Sequence, residues 1–93
     1  RSKMTKYKIQ ISSKFKNKLK KLSQKDKKLT KKVVDILASG EKLDKKYLDH
    51  KLKNDFKEYR KCHIKPDLLL VYRYFDDRLL LYLYQIGSHS EVF

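Results

Sequence analysis

Leu68-Leu69-Leu70-Val71-Tyr72-Arg73-Tyr74-Phe75, then Asp76-Asp77-Arg78, then Leu79-Leu80-Leu81-Tyr82-Leu83-Tyr84-Gln85, is the stretch that decides the fold. Two strand-length runs of branched and aromatic residues flank a short polar break, the pattern of a β-hairpin. Their nearly continuous apolar character suits the centre of a sheet. Pro66 and Asp67 make a turn ahead of it. Before that turn, Phe56 to Ile64 alternates, with Phe56, Glu58, Arg60, Cys62 and Ile64 on one side and Lys57, Tyr59, Lys61 and His63 on the other. This predicts a third strand with two usable faces. Gly87 ends the last strand, and Ser88 to Phe93 form a short tail.

Upstream, Tyr7, Ile9 and Ile11 alternate with Lys8 and Gln10, the period of a half-buried strand. Ser12 and Ser13 can cap a helix in which Phe15, Leu19 and Leu22 recur at helical spacing. Ser23, three residues before Asp26, opens a second helix through Leu29, Val33, Ile36 and Leu37, and Gly40 stops it. Residues 41 to 55 are polar and irregular, which predicts a loop with one helical turn. The order strand, helix, helix, three strands predicts an α+β domain: a small antiparallel sheet with an amino-terminal helical hairpin packed on one face and the other face open to a ligand.

With 93 residues the chain holds one domain, 4–93, and Arg1 to Lys3 ahead of Met4 read as a cloning remnant. Cys62 alone supports neither an internal disulfide nor a multi-cysteine zinc site, so a reducing cytoplasm is expected. The longest apolar run is interrupted by Arg73 and falls far short of the roughly 20 residues that span a bilayer. The basic amino end has no apolar run behind it, so no signal peptide is expected. The net charge is +14, and it is uneven: residues 1–65 carry 23 basic and 7 acidic side chains, residues 66–93 only 2 and 4. Such a field attracts polyanions or an acidic protein. Because 21 of the 25 cations are lysines, it attracts phosphate without reading bases.

His50, His63 and His89 fall in the loop, on a strand and just past the last strand, places where sites are built. Taken singly, each reads as a structural or surface histidine, although imidazole can give or take a proton near neutrality. No pair has the spacing of a helical metal site, and no metal or cofactor is expected. Cys62 and His63, as strand neighbours, point to opposite faces and form no nucleophile–base pair, so Cys62 belongs to the core. Tyr72, Tyr74, Tyr82 and Tyr84, at spacing two on adjacent strands, share one face, either as a platform for bases or, the stronger reading, packed against the helices.

The sequence resembles the RelE-like bacterial toxins, specifically the YafQ type of mRNA interferase from type II toxin–antitoxin systems. The resemblance runs through Asp49-His50-Lys51-Leu52, through Tyr59-Arg60-Lys61-Cys62-His63-Ile64-Lys65-Pro66-Asp67-Leu68-Leu69-Leu70-Val71-Tyr72, and through Gly87-Ser88-His89-Ser90-Glu91-Val92-Phe93. It implies a metal-independent endoribonuclease that enters the ribosomal A site, meets ribosomal RNA and cuts the translated mRNA by attack of a 2′-hydroxyl on the adjacent phosphate. It also implies a cognate antitoxin. By motif position the acid–base group is His50, His63, Asp67 and His89, with Phe93 near the nucleotide. Our assignment makes His89 the general acid, His50 or His63 the base, and Asp67 the residue that orients an imidazole.

Two departures stand out. Gln85 occupies the position of a family arginine, leaving Arg60, Arg73 or a lysine such as Lys65 as candidates for the phosphate contact. Leu68 stands where tryptophan is common, which removes a stacking surface. ParE-type toxins share the architecture but inhibit DNA gyrase, so that activity and plain RNA binding are the alternatives; the histidine set favours the nuclease.

Overall fold

The computed structural model describes residues 5–92. The chain forms β1 (Lys8–Ile11), α1 (Ser13–Lys21), α2 (Gln24–Ala38), β2 (His50–Lys51), β3 (Arg60–Lys65), β4 (Leu68–Phe75) and β5 (Leu80–Gly87), with 3-10 turns at Lys45–Tyr47 and Asn54–Phe56. The strands lie in the order β1-β5-β4-β3-β2.

Both helix starts follow from serine caps. Ser12 Oγ accepts the Phe15 N–H at 3.0 Å and Ser23 Oγ accepts that of Asp26 at 3.1 Å. Each cap stabilises by about 1 kcal/mol. Gly40 ends α2 with a left-handed φ of +85°, a conformation open to glycine at little cost. The Ala38 carbonyl then receives the N–H groups of Lys6 and Tyr7, tying the end of α2 to the chain entering β1.

The helical hairpin buries Phe15, Val33, Val34 and Leu37 against Cys62, Ile64, Leu68, Leu70, Tyr72, Leu81, Leu83 and Ile86 of the sheet. Each fully buried apolar side chain contributes about 1.5–3 kcal/mol relative to exposure. Leu69 and Val71 alternate away from this core and are buried on the other face.

The α+β architecture with helices on one face is as the sequence predicts, but the sheet is mixed. β1 runs parallel to β5, with Ile9 beside Leu81. The two helices cross the sheet before the chain rejoins it, and such a crossover permits parallel entry. β1 is an edge strand whose four residues are all exposed, Ile9 at 46% and Ile11 at 40%, so the alternation there marks no buried face. The strand predicted from Phe56 starts only at Arg60. Asn54 adopts a left-handed φ of +58°, and the Lys57 and Tyr59 amides close turns onto Asn54 and Phe56. β2, two residues long, had no periodic signal to reveal it.

The four tyrosines divide between faces. Tyr72 and Tyr74 pair with Leu83 and Leu81 and face the helices, whereas Tyr82 pairs with Arg73 on the open face. A bulge after Val71 leaves Tyr84 as an extra residue, because Val71 pairs with Gln85 and Tyr72 with Leu83. It lets Leu81, Leu83 and Ile86 all reach the core although their spacing is not strictly two.

Candidate active site

The open face is organised in rows across β3, β4 and β5. His63 pairs with Leu69, which pairs with Gly87. One row away, Lys61 pairs with Val71 on one side and His50 on the other. His50, Lys61 and His63 therefore share this face, with His50 diagonal to His63 at a typical Cα separation of about 7–8 Å.

His89 reaches the same row from the tail. Its ring centroid lies 5.5 Å from that of His63, with the planes inclined by 60°. The tail is folded back by a small network. The Ser88 N–H donates to Glu91 Oε1 at 2.9 Å, Lys18 Nζ of α1 donates to Glu91 Oε2 at 2.8 Å, and Gln85 Nε2 donates to the Glu91 carbonyl at 3.1 Å. The Lys18 contact, reinforced by the Ser88 amide, pulls the exposed Glu91 carboxyl down to about 2. Val92 is buried. A Cβ on Gly87 would sit 2.8 Å from Glu91 Oε1, so this approach needs glycine or a shifted Glu91 side chain.

His50 is placed by two neighbours. Its Nδ1 lies 2.9 Å from the Leu48 carbonyl. A carbonyl only accepts, so Nδ1 is the donor in this bond, and Nε2 is the second ring nitrogen. Asp49 anchors the segment by accepting from Arg60 Nε at 3.2 Å, from Arg60 Nη2 at 3.2 Å and from the Tyr72 hydroxyl at 2.6 Å.

The structure brings His50, His63 and His89 to one face and separates several other sequence candidates from them. Arg60 alternates to the helix side with Cys62 and is engaged by Asp49, so it does not meet the histidines. Lys65 is turned by an irregularity in the β3–β4 register between His63 and Lys65 and pairs with Asp26 of α2 at 2.8 Å. Gln85 holds the tail. Asp67 is exposed in the β3–β4 turn, and among the described residues no hydrogen bond joins it to an imidazole. Arg73 does lie on the open face, two rows from His63. Phe93 lies outside the described residues. Burial pushes the Cys62 thiol up to about 12, in keeping with a core role.

Three positions on or beside the histidine face are not singled out by the sequence. Lys61 shares the histidine face, Asp49 anchors His50, and Glu91 clamps the tail. Only Glu91 had a local signal: Ser88-x-x-Glu91 has the spacing of a capping box, and its characteristic carboxylate-to-amide bond forms here without a helix. Among the described residues no three His, Cys, Asp or Glu side chains converge as a metal-holding group, and no helix is long and apolar enough to cross a membrane.

A helical hairpin packed on a small, open, mixed sheet is the RelE-like fold. The family described as the YafQ bacterial toxin of type II toxin–antitoxin systems matches residues 7–93, and the chain belongs to it. The mRNA interferase toxin YafQ of Escherichia coli K12 is 38% identical over 47 residues, 50% of this chain and 49% of that protein. The aligned chain thus spans about half the length of the curated relatives it matches. The crystal structure of a metal-bound toxin from Helicobacter pylori is 47% identical, with a TM-score of 0.84 over 97% of this chain and 100% of that one. YafQ in the E. coli DinJ–YafQ complex is 33% identical, with a TM-score of 0.79 over 94% of this chain and 98% of that one.

Proposed function

We propose that this toxin is a ribosome-dependent endoribonuclease that cleaves translated mRNA in the cytoplasm. The observation that carries the reading is the juxtaposition of His63 and His89, with His50 on the same face. Attack of a 2′-hydroxyl on the neighbouring phosphate requires removal of the hydroxyl proton, stabilisation of the added negative charge and protonation of the departing 5′-oxygen. His50, whose Nδ1 is engaged by the Leu48 carbonyl, takes the first proton at Nε2. His89 delivers the second. Lys61 supplies charge to the phosphorane-like transition state in place of the family arginine, and His63 fixes the His89 ring and the phosphate between them. The bond between phosphorus and the 5′-oxygen breaks as the 2′-oxygen bond forms, leaving a 2′,3′-cyclic phosphate and a 5′-hydroxyl. No step is routed through a metal. Asp67 and Phe93 act at the nucleotide, the former by accepting a hydrogen bond from base or ribose.

The lysine-rich surface docks on ribosomal RNA at the A site. A cognate antitoxin neutralises the toxin through an acidic segment that folds on binding. A groove of about 450 Å³ between the helices, floored by Phe15, Leu19, Val34 and Leu83 and flanked by lysines, suits such a segment. The testing experiment is primer extension on a defined message in a reconstituted translation system, wild type against His63→Ala/His89→Ala. In-frame cuts that need ribosomes and vanish in the variant are expected. Absence of cuts by the wild type, or equal cutting by the variant, would leave gyrase inhibition or RNA binding in its place.

A further inference from the structure

We propose that Leu48 is a positioning residue for His50: its left-handed backbone aims the Leu48 carbonyl at Nδ1, so that Nε2 is the ring nitrogen left with the lone pair. That Nε2 then serves as the base rests on the ribonuclease reading; the control of the ring hydrogen does not.

Leu48 has φ +50° and ψ +43°, in the left-handed region, which a side chain as bulky as leucine rarely occupies. Core packing does not offset that strain, because Leu48 is 58% exposed. The chain on either side of it is what holds the conformation. Ahead of Leu48, the Asp44 carboxylate caps the 3-10 turn Lys45–Tyr47 by accepting the Lys46 N–H at 3.0 Å, and Tyr47 is buried. The Leu48 N–H closes that turn by donating to the Lys45 carbonyl at 3.0 Å. Behind Leu48, Asp49 is gripped by Arg60 and Tyr72, and His50 pairs with Lys61 at the start of β2. One residue must therefore redirect the chain between two anchored points, and the left-handed step does so.

The consequence falls on His50. The Leu48 carbonyl lies 2.9 Å from Nδ1. An extended ψ of about +135° would swing that carbonyl through roughly 90° about the Cα–C bond and break the contact. A histidine ring without such a partner favours the hydrogen on Nε2, whereas a carbonyl beside Nδ1 draws it there. A neutral ring keeps a lone pair on one nitrogen only, so the backbone at Leu48 decides which nitrogen can take a proton. Strain of this kind persists where the surroundings over-determine it, and a catalytic histidine held in the wrong tautomer fails.

The test reads the tautomer directly, from long-range proton–nitrogen correlations of the isotope-labelled full chain without ribosomes, at an alkaline pH that leaves imidazole neutral. Wild type is expected to carry the His50 hydrogen on Nδ1. Leu48→Asn removes the apolar side chain but suits the left-handed region, and should keep that tautomer. Leu48→Val keeps an apolar side chain, but its branched Cβ resists the region, and the hydrogen should move to Nε2. Single-turnover cleavage by Leu48→Val should be slower by about tenfold, with Leu48→Asn recovering the rate. A wild-type ring with its hydrogen on Nε2 would overturn the inference without reference to any variant's folding. So would the reverse order, with Leu48→Val unchanged and Leu48→Asn altered, which would make the exposed side chain an anchor for a partner. The expected tautomers in a protein that cuts no message would uphold the role of Leu48 and sink the ribonuclease reading alone.

Discussion

The Tyr72 hydroxyl donates a 2.6 Å hydrogen bond to Asp49, the residue immediately before His50. A core tyrosine thereby holds the short strand β2 against the sheet, together with the fork of Arg60. Because burial and Asp49 both favour the neutral phenol, the Tyr72 hydroxyl remains a donor throughout the physiological range. Tyr72→Phe is expected to lower stability by about 1–2 kcal/mol, read from urea denaturation, and to loosen His50 more than His63 or His89. A chemical-shift change confined to the histidine tail would contradict this.

The three imidazoles and Lys61 should divide by role. His89→Ala and His50→Ala are each expected to slow single-turnover cleavage by about 10²- to 10⁴-fold while leaving ribosome binding unchanged. Lys61→Gln removes charge stabilisation and should cost about 10²-fold or more. Arg60→Gln, on the opposite face, should cost stability first and, in the folded variant, slow cleavage only through a loosened β2 and by less than Lys61→Gln. A cleavage defect in Arg60→Gln equal to that of Lys61→Gln at full folding would reverse the assignment of faces.

Glu91 gives the tail a pH dependence. Its folded carboxyl sits at about 2, below its ordinary 4.5, so the native chain favours the carboxylate. The sign follows: the tether is complete above its ordinary value and is lost as the pH falls towards the folded one. At neutral pH Glu91→Gln should mimic acid, releasing His89 from His63 and reducing cleavage with little change in melting temperature, since exposed ion pairs contribute little to stability. Raised salt should weaken the Lys18 contact in the same direction. Unchanged His89 ring shifts in Glu91→Gln would show that Val92 and Gln85 suffice.

Cys62 should be chemically silent. With its thiol at about 12 and no exposed surface, it is expected to resist alkylation in the native state and to react only on unfolding. Cys62→Ser buries a hydroxyl in an apolar setting and should cost about 1–3 kcal/mol by denaturation, whereas activity of the folded variant stays at wild-type level.

Local chemistry was readable directly from the residues. Ser12 and Ser23 declare their helices because a side-chain oxygen caps an amide three residues on, and Gly40 declares a stop because its backbone takes a left-handed turn. The β4–β5 hairpin and the placement of Cys62 and His63 on opposite faces are likewise short-range consequences of alternation. That Arg60 faces the helices and Lys65 turns to Asp26 is not legible in their charge, because it depends on the phase of β3 and the register irregularity near its end.

By itself the sequence determined a basic chain with two capped helices, a central apolar hairpin and three histidines beside the elements that carry them. The tertiary structure alone decided that β1 enters parallel to β5, that the tyrosines divide between faces at the bulge, and that His89 comes to rest beside His63. These depend on pairing between distant segments, whose register is set by how apolar side chains fill a shared core and how Glu91 finds Lys18 and Ser88. No local propensity encodes such meetings, because each partner's position is fixed by the packing of the other.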